Sequence, residues 1–184
     1  MRGSKRWFPG ILRILMLAFY WLFSGALVTE AGIKAVSQAA PNIQKFIGTW
    51  RLVTSEFRTS DGRVTYPLGE NAVGLLIYDG GGRMAAQLMR LDRPEFASGD
   101  MRGGTPDEFK AAADGYVAYF GTYEVDDQKG TVIHHVDASL FPNWIGQDQV
   151  RYFEFSTDRL TLKTLPFLSG GGEITGVLVW KRLL

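Results

Sequence analysis

The sequence predicts an all-β protein: a closed antiparallel barrel of about eight strands, interrupted by one short helix. Runs of apolar, β-branched and aromatic residues recur about every ten residues, and most end in Gly- or Asp-rich turns. Short connections of this kind favour antiparallel neighbours, and about eight such strands in series are typical of a meander that closes on itself. The predicted strands are residues 50–58, 73–78, 83–90, 116–125, 131–140, 149–156, 160–165 and 173–182.

The predicted helix lies between the third and fourth strands of this list. Thr105, Pro106 and Glu108 form a capping-box signature with proline at the first helical position, and the helix should continue to about Gly115. The preceding loop, residues 91–104, is long and holds several glycines and acids. Such a loop is a lid, a packed Ω-loop or a mobile rim, and the sequence leaves the three open.

Residues 1–39 differ in composition from the rest of the chain. The first 13 residues hold four basic and no acidic side chains, and residues 14–28 carry no charge. A basic segment followed by an apolar run of this length predicts an export signal. The alternative is a retained membrane anchor over residues 11–28, with Arg13 reaching the membrane interface.

Residues 40–184 are assigned to one barrel domain. The first 39 residues hold five of the 20 basic and one of the 19 acidic side chains, so 15 basic and 18 acidic ones remain for the domain. Basic residues are not concentrated in any stripe of it, so a nucleic-acid partner is not expected. The chain has no cysteine, which excludes disulfides and lipid attachment through an N-terminal cysteine.

Arg151 gives the first indication of a site. Alternation puts Arg151, Phe153 and Phe155 on one face of their strand, and the two phenylalanines predict that this face points inward. A buried guanidinium is costly unless it is paired or used, which favours a polar-lined cavity over an apolar core. Glu56, expected inward with Trp50, is the predicted partner. The pair is either structural, or Arg151 is partly free to hold a ligand carboxylate or enolate.

His134 and His135 are the two histidines of the chain, and adjacent strand positions face opposite ways. The apolar residues that alternate with His134 predict that it points inward. It is either a hydrogen-bonded core histidine or a general acid–base group beside Arg151. A metal site is not expected, because the two side chains diverge and no cysteine is present.

Three more side chains are candidates for ligand contacts. Tyr123 is expected to line the cavity, since its ring is apolar and its hydroxyl polar. Gln87 lies on a strand whose inward face the alternation leaves undetermined. Trp144 follows a turn at one end of the barrel and is either an aromatic gate or a cap on the core.

The first strand and four longer blocks resemble known barrels. Gly-Thr-Trp-Arg-Leu-Val at residues 48–53 resembles the opening strand of the calycins, which include the lipocalins and fatty-acid-binding proteins. Four further blocks are residues 66–74, 121–125, 131–136 and 139–153. Together with the first strand, they make residues 48–182 resemble the lipocalin-like domain family, which is found in bacterial proteins and in some fungal biosynthetic clusters. The resemblance implies a β-barrel with a central cavity. It leaves the activity open, because related barrels carry ligands or catalyse isomerisation and cyclisation.

The same resemblance implies a structural role for Trp50. In calycins a tryptophan of the first strand lies near the closed end of the barrel, where a cationic side chain of the last strand covers its ring. Lys181 and Arg182 are the candidates for that cation. Substitution of Trp50 should therefore affect stability before it affects binding.

The leading functional hypothesis is an exported barrel that binds one small, largely apolar molecule with a polar or acidic end. An isomerase or cyclase with His134 as base and Arg151 as oxyanion stabiliser is the alternative, and a filled barrel serving as an interaction module is the third. No cofactor is expected, and membrane contact is expected only through residues 11–28 if they are retained. The predicted ligand-binding residues are Glu56, Gln87, Tyr123, His134, Trp144, Arg151, Phe153 and Phe155.

Overall fold

The computed structural model describes residues 42–169 and 171–183. The predicted export signal or anchor, residues 1–39, lies outside them. Within the described residues, no helix has both the length and the apolar character to cross a membrane. The elements are α1 (Ile43–Phe46), β1 (Gly48–Thr59), β2 (Val64–Thr65), β3 (Val73–Tyr78), β4 (Arg83–Met89), α2 (Pro106–Asp114), β5 (Tyr116–Asp126), β6 (Thr131–Ser139), a 3₁₀ turn (Pro142–Trp144), β7 (Asp148–Ser156), β8 (Arg159–Thr164), β9 (Phe167–Ser169) and β10 (Gly172–Arg182).

Eight of the strands close into an antiparallel barrel. Their order is β1-β3-β4-β5-β6-β7-β8-β10, and β10 pairs back onto β1 from Trp50 to Thr59. The short strands β2 and β9 extend the barrel wall, because they pair with the far ends of β1 and β10. The prediction of an all-β antiparallel barrel of about eight strands with one short helix is confirmed, although the sequence indicated neither short strand.

Helix α2 begins at the predicted capping box. The Thr105 hydroxyl accepts a hydrogen bond from the Glu108 amide (3.3 Å), and the Glu108 carboxylate accepts one from the Thr105 amide (2.7 Å). The loop before the helix packs against it, with the rings of Phe96 and Phe109 edge to face at 5.0 Å. The Ala97 amide also donates to Glu108 (2.8 Å). Residues 91–104 therefore form a loop that packs on α2.

A β-bulge in β1 changes which side chains point inward. The register of β1 against β10 shifts between Leu52 and Thr54, so one residue more lies on β1 than on its partner. Trp50 and Leu52 are buried as predicted, but beyond the bulge the alternation is inverted. Ser55 and Phe57 of β1 face the interior. The expectation that Glu56, which lies between them, faces inward is therefore wrong.

Phe46, from the single-turn helix α1, fills one end of the barrel. It has no exposed surface, and its ring meets those of Tyr78, Phe153 and Phe155 edge to face at centroid distances of 5.1, 5.1 and 4.9 Å. The Trp50 indole donates a hydrogen bond to the Phe46 carbonyl (2.8 Å). We call this end, where Phe46 is packed, the closed end.

Arg182 fastens the closed end from the last strand. Its guanidinium lies 4.2 Å from the centroid of the Trp50 ring and donates to the carbonyls of Ile47 (2.7 Å) and Lys45. Of the two candidate cations, Arg182 covers the tryptophan. Lys181 lies 3.4 Å from the Asp158 carboxylate instead.

Arg182→Met should lower the free energy of unfolding by about 3 kcal/mol, because a cation–π contact and two hydrogen bonds from a charged donor are lost together. Lys181→Met, on the same strand, removes a solvent-exposed ion pair and should lower it by less than about 0.5 kcal/mol. Urea unfolding of both variants measures the difference. Equal effects would contradict the role given to Arg182.

Candidate functional site

A cavity of about 580 Å³ lies between the closed end and the opposite end of the barrel. Its wall is mainly apolar, and the end of α2, the 3₁₀ turn and β9 contribute Asp114, Trp144 and Phe167. The apolar residues of the wall include Leu68, Leu76, Ala86, Leu88, Leu162, Leu178 and Trp180. Leu68 precedes β3, and the other six come from four strands, β3, β4, β8 and β10, on which alternate side chains point inward.

His134 is held between two tyrosines in the wall of the cavity. Its Nε2 lies 2.7 Å from the Tyr78 hydroxyl, and its Nδ1 lies 3.0 Å from the Tyr119 hydroxyl. Burial lowers the pKa of His134 well below the ordinary value of 6.5, and the positive charge of Arg151 acts in the same direction. Burial also raises the pKa of both tyrosines. The three side chains are therefore neutral near pH 7.

Arg151 lines the cavity beside this cluster. Its guanidinium donates to the Val150 carbonyl (2.8 Å) and to Oε1 of Gln149 (3.2 Å). Both acceptors are uncharged, and within the described residues no carboxylate lies within 4.0 Å of the guanidinium. The expected ion pair with Glu56 is therefore wrong. The bulge in β1 turns Glu56 to the other face, where it pairs with Arg58.

Three of the predicted site residues line the cavity: His134, Trp144 and Arg151. His134 points inward as predicted, and the interpretation as a hydrogen-bonded core histidine agrees with its two tyrosine partners. Trp144, on the 3₁₀ turn, packs edge to face against Tyr119 with a centroid distance of 5.6 Å. The structure thus brings these side chains and Tyr119 together at one side of the cavity.

The other predicted residues lie elsewhere. Gln87 is exposed and accepts a hydrogen bond from the Tyr116 hydroxyl (2.7 Å) on the outer face. Tyr123 points inward as expected, but its hydroxyl donates to the Asp79 carbonyl (2.9 Å) at the closed end. Phe153 and Phe155 also share the predicted inward face, but they pack on Phe46 and do not line the cavity. Strand alternation gives the face of a side chain and not its height along the barrel.

Tyr119 is the functional candidate that sequence reasoning missed. It lies four residues before Tyr123 on β5, so the alternation that placed Tyr123 inside also predicts an inward Tyr119. It lines the cavity, and 8% of its surface is exposed, whereas His134 has none. Tyr119 is therefore the member of the histidine cluster that a bound molecule can contact.

The geometry limits direct chemistry by His134. Both ring nitrogens are engaged by tyrosine hydroxyls, so a proton exchanged with a bound molecule would have to pass through Tyr119. Among the described residues, no group of three or more His, Asp or Glu side chains is arranged to hold a metal ion. What the arrangement can do is orient a polar atom at the side of an apolar cavity.

A closed eight-stranded antiparallel barrel with a packed end and an interior cavity is typical of the calycin class of β-barrels. Residues 47–183 match the lipocalin-like domain family, and the chain belongs to it. The chain is also 36% identical over 107 residues to the 4'-hydroxy-3'-methoxypropiophenone carrier protein of Aspergillus oryzae. That match covers 54% of this chain and 96% of the relative. The family fold and a relative named as a carrier support small-molecule binding.

The neutral His134 predicts a specific dependence of stability on pH. Its pKa is lower in the folded than in the unfolded state, so the unfolded chain binds the proton more readily below pH 6.5. The contribution of His134 to the free energy of unfolding is complete above that pH. It falls as the pH drops, by up to about 1.4 kcal/mol for each pH unit. The free energies of unfolding of wild type and His134→Gln, measured from about pH 7.5 to about pH 5, give the difference.

His134→Gln should flatten the pH dependence of the unfolding free energy. His135→Gln is the matched control, because His135 lies on the outer face of β6 with its Nδ1 2.6 Å from Asp148. This control keeps the buried imidazole of His134, so the loss of stability towards low pH should remain. A wild-type slope retained in His134→Gln would show that another group causes it.

Proposed function

We propose that the protein is a carrier that binds one small, largely apolar molecule in the barrel, with the polar oxygen of that molecule beside Tyr119 and Arg151. The observation that carries the proposal is a cavity of about 580 Å³ with an apolar wall and polar groups on one side. Ligand sites typically have volumes of about 300–1,000 Å³ and a few polar groups that fix orientation.

Arg151 supports an oxygen-bearing ligand. Its charge is partly buried, and its hydrogen-bond partners Gln149 and Val150 are neutral acceptors. A guanidinium in such surroundings favours a carboxylate, an enolate or a strongly polarised carbonyl, because each offers partial or full negative charge. The lining polar residues that belong to the cluster, Tyr119 and His134, are neutral and do not compete for it.

The carrier relative narrows the class of ligand. Its name gives a single aromatic ring with a ketone, a phenol and a methoxy group as the molecule that it carries. A molecule of this kind combines a flat apolar body with a carbonyl oxygen, which suits a wall of Leu and Trp side chains beside Arg151. We therefore extend the proposal to aromatic carbonyl compounds.

Two observations favour a carrier over the other hypotheses. An isomerase or cyclase with His134 as base needs an accessible ring nitrogen, and both nitrogens of His134 are engaged and buried. A filled barrel serving as an interaction module needs a packed interior, and this interior holds a cavity.

Leu178→Trp should abolish binding without unfolding the barrel. Leu178 is half-buried in the cavity wall, so an indole there would occupy the space proposed for the ligand. Leu75→Trp is the matched control, because Leu75 is 44% exposed and does not line the cavity. Calorimetric titration with 4'-hydroxy-3'-methoxypropiophenone should show at least about a tenfold loss of affinity for Leu178→Trp only. Equal affinity of both variants would place the ligand outside the barrel.

We propose further that residues 1–39 direct the protein out of the cytoplasm. The support is the basic start and the uncharged run over 14–28, followed by small residues at 29–31 and 37–39. The intact mass of the protein from its own source should correspond to a chain that begins at residue 32 or 40. A full-length chain in the membrane fraction would indicate the anchor over residues 11–28. A full-length chain in the cytosol would contradict both.

A further inference from the structure

We infer that Tyr119 donates a hydrogen bond to the ligand and that the cavity thereby selects a carbonyl oxygen over the corresponding alcohol. This inference rests on the proposed function and names the atom that the site recognises. It follows from the direction of the hydrogen bonds that link the side chains of Tyr78, His134 and Tyr119.

Tyr78 fixes the tautomer of His134. Its side chain is buried, it does not line the cavity, and within the described residues its hydroxyl has Nε2 of His134 as its hydrogen-bond partner. A buried hydroxyl that does not donate its proton loses free energy, so Tyr78 donates to Nε2. A neutral imidazole has one acceptor nitrogen and one N–H. With Nε2 as acceptor, the proton of His134 lies on Nδ1.

Tyr119 is the last member of this hydrogen-bonded series. The Nδ1–H of His134 donates to the Tyr119 oxygen at 3.0 Å, so Tyr119 accepts at that contact and does not give its own proton to the imidazole. The hydroxyl proton of Tyr119 remains to be donated. Tyr119 and His134 both line the cavity, but Tyr119 keeps some exposed surface and His134 has none, so the Tyr119 proton is available to a bound molecule.

The polar side of the cavity is therefore rich in donors. Arg151 has no acceptor atom in its side chain, and Oε1 of Gln149 already accepts a hydrogen bond from it. A carbonyl oxygen accepts from Tyr119 and from Arg151 and carries no proton of its own. An alcohol brings a hydroxyl proton into the same place, where Arg151 offers it no acceptor and the lining carboxylates Asp114 and Asp148 already bind Lys110 and His135. We expect the ketone to bind about tenfold more tightly than its alcohol.

The first experiment measures affinities for three compounds that share one aromatic ring. They are 4'-hydroxy-3'-methoxypropiophenone, the alcohol formed by reduction of its ketone, and the analogue with a methylene in place of the carbonyl. Wild type should bind the ketone about tenfold better than the other two. Tyr119→Phe should reduce this preference to about twofold or less, through loss of ketone affinity alone. Tyr123→Phe, which removes an inward phenol at the closed end, is the matched control and should keep the preference.

Outcomes of this titration separate the inference from the proposed function. Binding of all three compounds with equal affinity to wild type would support a carrier and overturn the selection of a carbonyl. A ketone preference that persists in Tyr119→Phe would overturn the role of Tyr119. Failure of wild type to bind any of the three would contradict the proposed function for aromatic carbonyl compounds, and with it the assignment of the ligand.

The second experiment tests the hydrogen-bond order without a ligand. Nitrogen-15 NMR of the protein labelled at histidine distinguishes protonated from unprotonated ring nitrogens, and His135→Gln identifies the signals of His134. The expected result is a proton on Nδ1 and none on Nε2, with loss of this single tautomer in Tyr78→Phe. A proton on Nε2 of His134 in the wild type would overturn the inference whatever the protein binds.

Discussion

Phe46 packs into the barrel against Tyr78, Phe153 and Phe155, and the backbone around it is fastened by Trp50 and Arg182. This packing determines where the interior of the barrel can hold a cavity. It fills one end of the barrel with aromatic rings, so the remaining interior volume is confined to the other end. The cavity exists because the eight-stranded barrel is wider than the side chains that fill its other half.

The polar cluster in the cavity wall follows from the free-energy cost of burying polar and charged groups. His134, Tyr78 and Tyr119 are buried, and each has a hydrogen-bond partner within the cluster. Keeping all three neutral avoids the large penalty for burying charge, while Arg151, the charged member of the neighbourhood, is only partly buried. Polar groups can therefore face the cavity without an unsatisfied buried charge.

The sequence predicted the strands well, because alternation and turn residues report local structure directly. It placed His134 and Arg151 correctly in the interior. It failed at Glu56, since a β-bulge inserts one residue and inverts the alternation beyond it, and no residue type at Val53 announces such a bulge. It also gave the correct face for Phe153 but not its position along the barrel axis, because that position depends on which strands are paired and in what register.

The inward face of β7 shows how one strand serves both ends of the barrel. Phe155 and Phe153 pack on Phe46, and Arg151, two residues further toward the mouth, reaches the cavity beside Tyr119. The interior thus changes from aromatic rings at the closed end to the polar groups of Arg151 and Tyr119, which lie beside the leucine-rich wall of the cavity. Under the proposed function, a ligand with one polar end would enter with that end first, because Arg151 lies two residues from Phe153 of the closed end. Its apolar body would then remain against the leucine-rich wall, where burial stabilises it.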